Sequence, residues 1–148
     1  MFKNKTMKNI FLLSLTFALF FVGCSSSSDN NRKIQDEMIA IHDEVMPMMG
    51  TFVRDIQKID SILLNIDEYK TQNPSLDTAE LTELRDRLET THDSMNDWMH
   101  DLNLNFEGKS DDQIKAYLEV EKDKIQDINN EFIEVSDVAK QTLSKYQL

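Results

Sequence analysis

Between Arg32 and Lys70 apolar side chains return every three or four positions: Ile34, Met38, Ile41, Val45, Met49, Phe52, Ile56, Ile59, Leu63 and Ile66. An α-helix turns once in about 3.6 residues, so this spacing lays them along one stripe. The alternation of fours and threes is a heptad seam with one extra residue near its middle. Pro47 sits at that irregularity and Gly50 follows it. Proline has no amide proton, and its ring collides with the carbonyl four residues back. The helix predicted over 32–70 therefore bends between Val45 and Gly50, and it continues because the rhythm resumes.

Asn73-Pro74-Ser75 reads as a turn. Asp77 followed by Glu80 resembles a capping box opening a second helix over 78–104. Its seam is Leu81, Leu84, Leu88, Thr91 or His92, Met95, Trp98 or Met99, and Leu102. Gly108 suits a left-handed stop. Ser110 and Gln113 form another capping box, with Asp111 and Asp112 where the helix dipole favours negative charge. The third helix, over 111–146, carries Ile114, Leu118, Glu121, Ile125, Ile128, Phe132, Val135, Ala139, Thr142 and Tyr146. Glu121 is the one carboxylate in that seam. The pattern predicts an all-α fold, an antiparallel three-helix bundle with coiled-coil-like packing and crossings near ~20°.

The first 31 residues follow a different pattern. Lys3, Lys5 and Lys8 precede an apolar run from Ile10 to Val22, which ends at Gly23-Cys24. The run is short of the roughly 20 residues that a permanent membrane-spanning helix needs. Residues 1–23 read as a secretory signal peptide, and Cys24 stands where a bacterial lipobox places the residue that is acylated. Phe21 departs from the aliphatic residue usual at the outer lipobox position. Residues 24–31, the lipidated Cys and the polar run Ser25–Asn31, read as a flexible tether, and 32–148 as the bundle. The implied address is the cell envelope, lipid-anchored to a membrane, with the outer membrane and the periplasmic or surface side left open.

The chain has 148 residues, 27 acidic against 16 basic, and a formal net charge of −11. Losing the three lysines of the signal segment takes the charge to −14. This length supports one domain, and so acidic a surface repels phosphate backbones, which argues against nucleic acid as a partner. Three Gly and two Pro leave little turn material for sandwiches, barrels or glycine-rich nucleotide loops, and a single Cys excludes a disulfide framework.

Candidate chemistry is confined to two windows, one holding Met38, His42, Met46, Met48 and Met49, the other His92, Met95, Trp98, Met99 and His100. In a hairpin centred near Pro74 with equal rise on both arms, Met49 comes level with Met99, and Met46 or Met48 lies near His100. A second hairpin near Gly108 puts Met95 level with Glu121, and Met99 level with Tyr117. Thioether and imidazole suit Cu(I) or Ag(I) better than zinc, magnesium or calcium. The candidate ligands are Met46, Met49, His92, Met95 and Met99. Met48, His100, Trp98 and Glu121 form a second rank, the Trp98 ring as a cation–π face. Methionine also fills gaps in helical cores, so packing alone is the competing reading. Glu89-Thr90-Thr91-His92 matches half of a di-iron carboxylate motif, but Asp97 to His100 supplies only an imperfect second copy. No spacing is diagnostic of a nucleophile, and an enzyme is the least supported class. The expected role is a binding or interaction module with an envelope protein client.

His42 to Gly50, Met95 to Met99 and Tyr117 to Ile125, together with the lipobox, resemble a group of uncharacterised small bacterial lipoproteins often labelled "viral A-type inclusion protein". The resemblance implies the helical fold and the envelope address. It carries no catalytic residue.

Overall fold

The computed structural model describes residues 26–148, so the signal segment and Cys24 lie outside the described residues. It is all-α, four helices packed as a bundle: α1 Ser26–Leu64, α2 Ile66–Gln72, α3 Thr78–Asp101 and α4 Asp111–Lys145. The three long helices pack pairwise against one another, and α2 rests on α1. Their seams are largely those read from the periodicity. The alternatives in α3 resolve to Thr91 and Trp98, both buried, and in α4 the buried position is Asn129 in place of Ile128.

The helix expected over 32–70 is corrected at both ends. It begins at Ser26, so residues 26–31, expected as tether, are helical. Buried Asn31 donates from Nδ2 to the Asp111 carbonyl at 3.1 Å, tying the first turns of α1 to the start of α4. At the other end α1 stops at Leu64. Asn65 donates its side-chain amide back to the Ser61 carbonyl at 2.8 Å, and its backbone amide takes the tighter bond to Ile62 at 3.1 Å. A side chain that competes for helix carbonyls in this way breaks the ladder, and the chain restarts as α2. Pro47 does not interrupt α1.

Cross-links fix the directions. Glu37 to Lys122, Glu44 to Asn129 and Met48 to Ser136 advance together along both chains, so α1 and α4 run parallel. Arg87 to Glu134 and Thr91 to Glu131 advance in opposite senses, so α3 runs against α4. At mid-height the rings of Phe52 and Phe132 stack with centroids 4.6 Å apart, both almost wholly buried.

The helix caps are mostly as expected. Ser110 and Gln113 make both halves of their capping box, and Gly108 takes φ +76°. Asp77 accepts from the amides of Ala79 and Glu80, but the reciprocal half is missing because the Glu80 carboxylate is engaged elsewhere. It accepts from Lys145 Nζ at 2.6 Å and from the Tyr146 hydroxyl, which in turn accepts from the Asp77 amide at 3.2 Å. The hydrogen bonds from Lys145 and then Tyr146 hold the Glu80 carboxyl below its usual range, and the Lys145 ammonium is pushed up by the same contact. A carboxyl lowered on folding contributes stability above its unfolded pKa near 4.5 and loses it as pH falls through the lower folded value. Thermal melts from pH 7 to pH 3 should show this acid loss, and Glu80→Gln should make it shallower while leaving the other carboxylates to titrate.

Candidate functional site

The candidate site is a groove between α1 and α3, built mainly from two helical stripes. On α1, Met38 and His42 are one turn apart and project from the same face. On α3, Trp98 and Met99 stand in the last turn, and Leu102 and Leu104 extend the wall beyond the helix. Together these line a groove of about 350 Å³, completed by Gln35, Ile39 and Asp43. The walls are mostly apolar. Met38 and Trp98 are buried, Met99 and His42 half-buried, and Ile39 and Leu104 are exposed at 55% and 51%.

His42 is the only imidazole in the groove, and its Nδ1 lies 3.0 Å from Asp43 Oδ1. A carboxylate only accepts, so in the neutral ring Nδ1 carries the proton and the lone pair is left on Nε2. That is the outer-partner arrangement that readies a histidine to bind metal through its other nitrogen. The Trp98 Nε1 is buried without a hydrogen-bond partner, so packing alone holds the ring.

The expected cluster is distributed differently. Of its members, only Met99 and Trp98 line this groove. Met46 is 40% exposed, Met48 receives a contact from the Ser136 hydroxyl at 3.8 Å on α4, and Met49 and Met95 are buried in the core. His92 Nδ1 faces its own helix, 3.2 Å from Asn96 Nδ2 and 3.5 Å from Asp93 Oδ1. His100 is exposed. Glu121, expected level with Met95, instead borders Trp98, Asp97 and Asp101, where it is buried and accepts from Lys124 Nζ at 2.8 Å. Glu89 is held by Arg85 rather than facing a partner carboxylate.

The cause is register. A hairpin centred at Pro74 does not form, because Asn65 and α2 lie within the connection and shift its centre toward the N-terminal side. Arg85 consequently reaches Asp60 at 3.1 Å, and Met99 comes beside Met38 and His42 instead of Met49. Likewise the extended Leu102 to Ser110 loop moves α4 by about a turn relative to α3, and Tyr117 accepts from the Asn103 amide at 2.8 Å. Met38 and His42 were visible in sequence as an i, i+4 pair; only the slip hid their partners.

Among the described residues no three or more His, Cys, Asp or Glu side chains are grouped to hold a metal. Comparison with family models, with curated proteins and with solved structures finds no match.

Proposed function

We infer that the protein is a lipid-anchored lipoprotein of the cell envelope whose helical bundle serves as a binding module for an envelope protein client. The observation that carries this reading is the order of Lys3, Lys5 and Lys8, the Ile10–Val22 run and Gly23-Cys24, with the described residues helical from Ser26 onward. Acylation of Cys24 would attach the lipid almost directly to a helical rod. Each buried methylene contributes about 0.8 kcal/mol to membrane retention, and two or more chains make release slow. No helix among the described residues is long and apolar enough to cross a membrane, so the anchor supplies the attachment in this reading.

On this reading the three long helices pack in coiled-coil fashion with α1 bent at Pro47, and the Met38–Met99 groove lies toward the anchored end. Gln35 to Asp43 stand roughly 15–25 Å along α1 from Ser26 at about 1.5 Å per residue. The acidic surface favours a basic client and steers it by charge.

Labelling cells with a radioactive fatty acid tests the anchor. The expected result is a labelled band in the membrane fraction, with Cys24→Ser abolishing the label and leaving precursor uncleaved. Equal labelling of the variant would overturn the lipoprotein reading.

A further inference from the structure

We propose that the groove between α1 and α3 is a site for a monovalent d10 metal ion, Cu(I) or Ag(I), held by the Met38 and Met99 thioethers and His42 Nε2 beneath the Trp98 ring.

Four observations converge on this site. First, the only three soft or borderline donors of the groove come from two helices and line one 350 Å³ space. Second, they are two thioethers and one imidazole, a set that discriminates toward Cu(I) and Ag(I) and against hard or thiolate-seeking cations. Third, the Asp43 carboxylate at 3.0 Å fixes the His42 ring with its lone pair on Nε2. His92 differs in lying outside the groove, with its neighbouring carboxylate at a longer 3.5 Å and the Asn96 amide nearer at 3.2 Å. Fourth, apart from Gln35, His42 and Asp43 the walls are apolar. A poorly hydrated monovalent ion loses less on leaving water than a divalent one, and an indole face stabilises a desolvated cation. A methionine layer used only for packing needs neither a half-buried imidazole nor an oriented carboxylate beside it. Met46, Met48, Met49 and Met95, which do not line the groove, are the internal comparison.

The site does not depend on the lipid anchor, and its test is separate from the labelling experiment. The probe is Ag(I), which needs no reductant, and the reporter is Trp98, the only tryptophan in the chain. The protein is the untagged full chain in detergent on a Cys24→Ser background, because a free thiol would bind either ion. Titration should quench Trp98 emission and saturate at one equivalent. Met38→Leu with Met99→Leu keeps the side-chain volume and should retain the thermal midpoint. Loss of a ligand costs at least as much as loss of an outer partner, so affinity should fall by roughly 100-fold or more. His42→Gln, at a half-buried position, should do the same, and Asp43→Asn should weaken binding about tenfold. Met46→Leu should leave the titration unchanged. The proposal is overturned if Ag(I) produces no Trp98 response, if the Met38, Met99 double variant binds as tightly as its parent, or if Zn(II) binds equally well. A failure here with fatty-acid labelling intact removes the metal and leaves the anchored module standing.

Discussion

Replacing Phe132 by alanine is expected to lower the stability of the bundle by about 3–5 kcal/mol. Phe132 is fully buried on α4 and stacks on Phe52 of α1 with an interplanar angle of 22°. The truncation removes the apolar transfer term, leaves a cavity bounded by three rigid helices, and deprives Phe52 of its ring partner, itself worth about 0.5–1.5 kcal/mol. Val135, one turn further along α4, and Ile125, two turns before Phe132, are also fully packed and cannot move to fill the space. Urea denaturation followed by far-ultraviolet circular dichroism measures it. The midpoint should fall with little change in slope, and a loss under 1.5 kcal/mol would mean that the centre of the bundle is less tightly packed than described.

The second large effect has the opposite sign. Pro47→Ala is expected to stabilise the protein by about 2 kcal/mol. Proline inside a helix costs about 3 kcal/mol relative to alanine, since it removes one amide donor and crowds the carbonyl of Asp43. Pro47 is exposed and lies deep within α1, which runs unbroken around it, so no packing contact is lost on substitution. The unfolded chain regains about 0.4–1 kcal/mol of conformational freedom, which trims the gain. Gly50 lies close by in the same exposed stretch; a Cβ there would meet only Arg54 Nη1 at 3.7 Å, so Gly50→Ala should add about 0.5–1 kcal/mol. Two helix-weakening residues one turn apart, in a helix otherwise rich in good formers, point to a local shape that the sequence keeps at the expense of stability. If Pro47→Ala destabilises instead, the proline shapes α1 for its packing on α3 and α4.

Much of the fold was legible because it depends on periodicity alone. Val45, Phe52, Leu81, Leu88, Ile125 and Phe132 were seam positions in the sequence and are core positions in the structure. Caps were legible where a side chain had no competing partner, as at Ser110, and misleading where it had one: Glu80 serves Lys145 and Tyr146, which lie 65 and 66 residues away. Asn65 broke a helix that its neighbours Leu64 and Ile66 would have continued. That break decided the fate of the candidate site. Level-matching between two helices needs the length of the connection to within a residue or two, and a slip of a few residues replaces every neighbour. The Met95 and Met99 pair illustrates the consequence: Met99 reaches a groove, while Met95, one turn earlier, is sealed in the core at 0% exposure. The chemistry of the residues was readable, and their partners were not.

The register between α1 and α3 is therefore the point on which the account depends, and methyl nuclear Overhauser spectra of protein labelled with 13C at the methionine methyls test it most directly. The account predicts cross-peaks from the Met99 methyl to Met38 and to the ring protons of His42. Cross-peaks from Met99 to Met49, with none to Met38 or His42, would contradict it.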